Sequence, residues 1–165
     1  MSVGINSNAS IDNISVREID PLSVCIQMEG DMTYADDGAG STVKFLRWEQ
    51  DSNNLVDAYL RTDGTATGGF IFRQKDGGVS DVAESSTTLY SPGINQAFNI
   101  ASRHGSTFIN GAVDGTALTA DTTPVALPDL ENADLDLAYD YMGTIKQFRI
   151  WAVDIGDTGI AEASA

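Results

Sequence analysis

Apolar and polar residues alternate along most of the chain after residue 21, which is the period of a β-strand with one buried face. In the first such segment, residues 22–29, Leu22, Val24, Ile26 and Met28 fall on one face and polar residues and Cys25 on the other. Further strands are predicted over residues 43–49, 55–61, 69–75, 79–83, 97–102, 107–112, 135–137 and 145–153.

Turn sequences rich in glycine, asparagine and aspartate separate these segments, as in Asp76-Gly77 and Asp114-Gly115. Residues 30–40 are predicted to be a loop, and residues 158–165 a helix of about two turns capped by Asp157 or Thr158. Strands without crossover helices favour antiparallel pairing. The pattern therefore predicts an all-β fold, an antiparallel two-sheet sandwich with one short helix near the C-terminus.

The chain has 165 residues, enough for one domain. Residues 1–20 are polar apart from a short run in which Ile14, Val16 and Ile19 are apolar, and Pro21 ends that run. We expect residues 1–20 to be an N-terminal arm or edge strand that anchors the protein, and residues 21–165 to be the sandwich. An ordinary first strand of the sandwich is the alternative for the same run.

The net charge is −15, from 24 acidic and 9 basic residues, so the surface repels phosphate. We therefore expect no nucleic-acid partner and no membrane insertion. The N-terminus has neither the basic nor the apolar region of a signal peptide. Cys25, the one cysteine, is predicted to be a buried thiol.

Three stretches carry a resemblance to a known family. They are residues 45–61, with the turn D-S-N-N; residues 98–111, ending in F-I-N-G; and residues 143–151, G-T-I-K-Q-F-R-I-W. In this order and spacing they resemble the concanavalin A-like lectin/glucanase superfamily, in the laminin-G-like form found in bacteriophage tail and virion surface proteins. Residues 156–159 match the family's closing helix poorly. The resemblance implies a jelly-roll sandwich over residues 22–165.

The same resemblance implies a bacteriophage virion structural protein, either decorating the capsid or associated with the tail. It would be located on the virion, and its partners would be other virion proteins and a host-surface glycan. Its assembly would be symmetric, commonly a trimer. A free-standing carbohydrate-binding module is the alternative. A glycan-degrading enzyme is the third, but the superfamily's E-x-D-x-E strand is missing, which leaves only Asp134 and Asp136 as candidate acids.

Sugar sites commonly pair an aromatic ring with planar polar groups. Trp48, Tyr59 and Arg61 lie on neighbouring predicted strands and are the candidate ligand-binding residues, although core packing competes for Trp48. Tyr90, Tyr139 and Tyr141 are alternatives in loops. His104, beside Gly105, is expected to be a surface histidine in a turn, and no catalytic residue is predicted.

Calcium is the one cofactor that the sequence leaves open. Asp31, Asp36 and Asp37 fall in one predicted loop, and carboxylate oxygens are the ligands that calcium prefers. Asp51 with Asn53 is a second set of the same kind. Neither set has the spacing of a fixed calcium-binding loop.

Overall fold

The computed structural model describes residues 23–36, 42–63, 66–140 and 142–165. The predicted arm, with Ile14, Val16 and Ile19, lies outside the described residues, as do Asp37 and Tyr141. The strands are β1 (Ser23–Tyr34), β2 (Thr42–Asp51), β3 (Asn54–Arg61), β4 (Phe70–Asp76), β5 (Val79–Glu84), β6 (Gly93–Gly105), β7 (Ile109–Val113), β8 (Thr116–Ala117), β9 (Asp134–Leu137) and β10 (Gly143–Trp151), and the helix is α1 (Gly156–Ala163).

The strands form two five-stranded sheets that pack face to face. The first sheet has the order β10-β1-β6-β7-β8 and the second the order β5-β4-β3-β2-β9. Neighbouring strands pair antiparallel in both sheets. The predicted fold class, an antiparallel β-sandwich with one short C-terminal helix, is confirmed.

Phenylalanine side chains fill the centre of the space between the sheets. The ring of Phe45 lies 5.0 Å from that of Phe70 and 4.8 Å from that of Phe98, between ring centroids. Phe72 packs against Gly111 of the opposite sheet, so closely that a Cβ on Gly111 would lie 1.8 Å from the Phe72 ring. This close approach needs a residue without a side chain at position 111.

Strand β1 is longer than the sequence suggested. The predicted loop from residue 30 is wrong at its start, because β1 continues to Tyr34 and both Met32 and Tyr34 are buried. Gly30 marks an irregularity in the pairing with β10, not a turn. A Cβ at Gly30 would lie 2.0 Å from the carbonyl oxygen of Thr144, so glycine is needed there for close strand approach.

Helix α1 covers the outer surface of the first sheet. Cys25, Ala101, Ala112 and the helix residue Ile160 form one buried cluster there, against which Trp151 packs. Burial raises the pKa of Cys25 to about 11, so the thiol stays protonated, and the prediction of a buried thiol is confirmed.

The helix itself was expected, but its predicted cap is wrong. Ile155 occupies the N-cap position and no side chain caps the helix. Asp157 instead accepts hydrogen bonds from Arg103 Nη1 and Asn110 Nδ2, at 2.8 and 2.9 Å. These bonds fasten the start of the helix to β6 and β7.

His104 is buried, and its prediction as a surface histidine is wrong. It lies in β6 opposite Val24 and Ile109, with no exposed area. The strand extends through Gly105, so the turn comes after the histidine and not at it. Neither imidazole nitrogen has a hydrogen-bond partner within the described part of the chain. Burial lowers the pKa of His104 to about 3, and the ring is neutral.

The described residues contain no helix that combines the length and the apolar character needed to cross a membrane.

Candidate functional site

The outer surface of the second sheet carries a concentration of basic side chains. Five of the chain's nine lysine and arginine residues belong to β2, β3 and β4: Lys44, Arg47, Arg61, Arg73 and Lys75. Side chains alternate between the two faces of a strand. In β3 the buried core residues are Val56, Ala58 and Leu60, so the residues between them face outward.

The register of the strands places two arginines on either side of one aspartate. Arg47 of β2 is opposite Asp57 of β3, and Asp57 is opposite Arg73 of β4. Adjacent strands lie about 4.8 Å apart, so the backbones of the two arginines are about 10 Å apart. Asp136 of β9 lies opposite Arg47 at the end of the same row.

Asp57 orients Arg73. Its side chain has no exposed area, and it accepts a hydrogen bond of 2.9 Å from Arg73 Nε and a second bond from Arg73 Nη2. Burial raises the pKa of Asp57, against the hydrogen bonds and charge of Arg73. Burial also opposes the charge on Arg73, but Asp57 outweighs it and raises the pKa of Arg73 above its ordinary value. The guanidinium is therefore charged and fixed in position.

Two tyrosines lie among these cations. The Arg73 Cζ atom is 5.3 Å from the ring centroid of Tyr59. Lys44 Nζ and Arg47 Cζ lie 5.2 and 5.5 Å from the ring centroid of Tyr139, which is 50% exposed. Contacts of this kind hold aromatic rings against cations. We call the surface formed by Lys44, Arg47, Asp57, Tyr59, Arg61, Arg73 and Tyr139 the arginine–tyrosine face.

Acidic side chains at the margin pair with the remaining cations. Arg47 Nε lies 2.5 Å from Glu49, Lys44 Nζ 3.1 Å from Asp140, and Arg61 Nη2 2.8 Å from Glu84. These three carboxylates are between 26% and 45% exposed, unlike Asp57. Exposed pairs contribute little stability, so Lys44 and Arg61 can change partners at small cost. Arg47 is only 17% exposed and donates a second bond to Glu49 from Nη2 at 2.6 Å, so its pair is firmer.

The structure brings together only two of the three predicted ligand-binding residues. Tyr59 and Arg61 lie on the arginine–tyrosine face. Trp48 points to the other side of the sheet, because it is opposite the buried Val56 and packs against the core. It borders a cleft of about 300 Å³ with Val24 and the 127–131 segment. The core-packing interpretation of Trp48 is confirmed.

A β-bulge explains this arrangement. The pairing of β2 with β3 shifts between Lys44 and Leu46, so that one extra residue is inserted into β2. From that point each side chain of β2 lies on the face opposite to the one that strict alternation gives. Arg47 therefore points outward and Trp48 inward. The sequence carries no turn residue that would mark the bulge.

The predicted calcium ligands do not come together in the described residues. Asp31 lies within β1, and its carboxylate is 2.9 Å from Lys146 Nζ. Asp36 is exposed just after β1. No group of three or more His, Cys, Asp or Glu side chains that could hold a metal ion occurs among the described residues.

Asp51, from the second predicted calcium set, shapes the turn between β2 and β3. It accepts hydrogen bonds from the Asn53 backbone N–H at 2.7 Å and from Asn54 Nδ2 at 3.1 Å. The Asn53 bond is the main reason that the pKa of Asp51 is lowered. These bonds account for the D-S-N-N sequence as a turn motif.

Of the loop tyrosines, Tyr90 is not available to a ligand. It is buried, and its hydroxyl donates to Asp114 at 3.0 Å. Tyr139, which the sequence offered as an alternative, lies on the arginine–tyrosine face. Arg47, Asp57 and Arg73 were missed by sequence reasoning; the one signal for them is an aspartate placed among the apolar residues of a predicted strand.

Solved structures with a similar fold are lectin-like sandwiches. The CBM40 domain of the Ruminococcus gnavus IT-sialidase, bound to α2,6-sialyllactose, aligns with a TM-score of 0.62 at 10% identity over 87% of this chain and 84% of that chain. The leech intramolecular trans-sialidase, complexed with 2,7-anhydro-Neu5Ac, gives 0.62 at 13% identity over 88% of this chain and 24% of that chain.

A third similar structure is that of botulinum neurotoxin type C, whose cell entry depends on interaction with two ganglioside molecules. It aligns with a TM-score of 0.58 at 11% identity over 87% of this chain and 35% of that chain. No family model and no curated protein sequence matches the chain. At these identities the likeness shows the fold alone, a lectin-like β-sandwich.

Proposed function

We propose that this chain is a non-catalytic carbohydrate-binding domain and that the glycan binds on the arginine–tyrosine face. The observation that carries the proposal is a sheet surface, not covered by any element of the described residues, on which Tyr59 lies beside the oriented Arg73 and Tyr139 beside Lys44 and Arg47. Aromatic rings stack on the apolar face of a sugar, and planar cations donate hydrogen bonds to its oxygens. The similar structures, solved with sialyl sugars, support the same class of ligand.

A glycan array followed by calorimetry tests this function. We expect saturable binding to at least one glycan class, weakened about tenfold or more by Tyr139→Ala because the half-exposed ring is removed. Tyr139→Phe is the matched control, since it keeps the ring and should retain most of the affinity. A folded protein that binds nothing across the array would contradict the proposal.

The absence of catalysis is part of the proposal and rests on the chemistry of the carboxylates on this sheet. Asp57 is buried and holds Arg73 through both oxygens, so it is not available as an acid or nucleophile. Asp134 and Asp136 are exposed on β9. Release of reducing ends from a bound polysaccharide, lost in Asp134→Asn or Asp136→Asn, would establish the enzyme alternative instead.

We also propose, from the sequence resemblance of residues 45–61, 98–111 and 143–151, that the domain is of the laminin-G-like bacteriophage type. It would then work on a virion, on the capsid or the tail, with residues 1–20 as its anchor and a symmetric, trimeric assembly. Mass spectrometry of purified particles tests the location, and light scattering of the purified chain tests the assembly. Particles without this polypeptide would refute the virion role without touching glycan binding.

A further inference from the structure

We propose that the glycan bound on the arginine–tyrosine face carries a carboxylate, as an acidic sugar does, and that Arg73 receives it. The inference rests on the proposed glycan-binding function and adds the ligand's charge and the group that recognises it. Three features of the face lead to it: the placement of the cations, the orientation of Arg73, and the exchangeable pairs beside it.

The placement of the cations is the first feature. A chain with a net charge of −15 repels an anionic sugar over most of its surface. The strands β2, β3 and β4 nevertheless hold five of its nine basic residues. These three strands also hold four acidic residues, so their formal charge is +1, and an anionic ligand meets less repulsion there than over the chain as a whole.

The orientation of Arg73 is the second feature. A guanidinium has five N–H donors in one plane. The bonds to Asp57 use Nε and Nη2, along one edge of that plane. The edge formed by Nη1 and the second N–H of Nη2 keeps the parallel donors that match a carboxylate. Since Asp57 is buried, the guanidinium is already oriented before the ligand arrives.

The third feature is the set of exchangeable pairs beside Arg73. Arg47 lies opposite Asp57, on the side away from Arg73. Both Arg47 and Lys44 contact the ring of Tyr139. Their own partners, Glu49 and Asp140, are partly exposed. The Lys44–Asp140 pair is the more exposed of the two, so a ligand carboxylate can replace Asp140 at small cost. Arg47 is only 17% exposed and holds Glu49 through two bonds, so it exchanges its partner less readily. The face thus offers one prearranged cation, Arg73, and one exchangeable cation, Lys44, with the half-exposed ring of Tyr139 beside Lys44.

Sialyllactose, its carboxylate methyl ester and lactose form a probe set that isolates the charge. We expect binding to sialyllactose, or to a tetragalacturonate if the acidic sugar is a uronate, and at least a tenfold loss when the carboxylate is esterified or absent. Equal affinity for the ester and the acid would overturn the inference while leaving glycan binding intact. Binding to sulfated lactose alone would overturn the carboxylate, and binding to no glycan would refute the underlying function.

Variants test the residues. Arg73→Gln should weaken binding of the acid at least tenfold and leave binding of the ester unchanged. Because this variant leaves Asp57 buried without a partner, the double variant Asp57→Asn with Arg73→Gln replaces the ion pair by two neutral amides and is the folding-safe form. Arg47→Gln should give a smaller loss of the same kind.

Arg149→Gln, on the exposed surface of β10 in the first sheet, is the matched control and should bind normally. Full affinity of the double variant for the acid would refute the role of Arg73.

Discussion

The two outer surfaces of this sandwich are built from different side chains and meet different surroundings. On the first sheet, the small residues Cys25, Ala101 and Ala112 lie beneath Ile160 of helix α1, and the surface is buried there. On the second sheet, the corresponding surface is made of long polar side chains such as Arg73 and Tyr59, and no element in the described residues covers it.

The difference shows what a sheet needs before a helix can lie on it. Small side chains let the helix approach closely and bury apolar area, which stabilises the fold. Covering the arginine–tyrosine face would take several guanidinium groups out of water, at a cost that packing does not repay. The first surface therefore contributes to stability, and the second is the one on which we propose that the glycan binds.

The largest change in the free energy of unfolding should come from a substitution on the surface of the first sheet that helix α1 covers. Ile160→Ala removes the one fully buried side chain of α1 and leaves a cavity, so we expect the free energy of unfolding to fall by about 3 kcal/mol. Chemical denaturation measures it. Ile94→Ala, at a residue 76% exposed, is the control and should change stability by less than about 0.5 kcal/mol. A similar change in both variants would mean that α1 does not seal the first sheet.

The pH dependence of the free energy of unfolding tests the interior of the sandwich and neither of its outer surfaces. Burial lowers the pKa of His104 to about 3 from an ordinary 6.5, so between these values the unfolded chain binds a proton that the native chain does not. The free energy of unfolding should therefore fall as the pH drops below 6.5, by about 1.4 kcal/mol per pH unit from this residue. Above pH 6.5 it contributes no pH dependence. Denaturation at pH 6.5 and 4.5 should show roughly 2–3 kcal/mol more loss in the wild type than in His104→Gln, and equal slopes would contradict the burial.

A smaller effect is expected where the helix is fastened to the sheet. Arg103 lies within 2.5 Å of Asp154 and 2.8 Å of Asp157, and its Cζ is 3.8 Å from the ring centroid of Phe108. Since its side chain is only 12% exposed, Arg103→Gln should lower the free energy of unfolding by about 2 kcal/mol. Hydrogen exchange should show faster exchange confined to α1. Exchange that rises equally in the second sheet would show that the two surfaces are coupled.

The smallest change in the free energy of unfolding is expected for a substitution on the arginine–tyrosine face. The pair of Arg61 with Glu84 is exposed on both sides, so Arg61→Gln should change the free energy of unfolding by less than about 1 kcal/mol. Thermal denaturation measures it, and glycan affinity of the same variant reports separately on ligand contact. If the free energy of unfolding fell as much as in Arg103→Gln, the arginine–tyrosine face would also contribute to the stability of the fold.

Much of the fold followed from alternation, because a half-buried strand leaves a local period of two in the sequence. The strands and the sandwich were predicted in this way, whereas Cys25 lies on the other face of β1 and is buried because helix α1 covers it. Alternation fails where a single residue is inserted, and the bulge after Lys44 exchanged the faces of Arg47 and Trp48. It also says nothing of which strands become neighbours.

For that reason the candidate site was found only in part. Tyr59 and Arg61 could be predicted because they lie in a regular strand. The pairing of Asp57 with Arg73 depends on the register between β3 and β4, 16 residues apart in the chain, which no local pattern carries. His104 was misplaced because the Arg103-His104-Gly105 sequence is typical of a turn, whereas the space between the sheets accepts a neutral imidazole.

The contact of Phe72 with Gly111 limits how this sequence can diverge. Even the methyl group of alanine at position 111 would overlap the ring, since its carbon would come within 1.8 Å of it. The two positions are therefore expected to change together in evolution: a homologue with a larger residue at position 111 should carry a smaller one at position 72. Such paired changes would be a sequence signature of the sheet spacing, visible in any set of homologues without a structure.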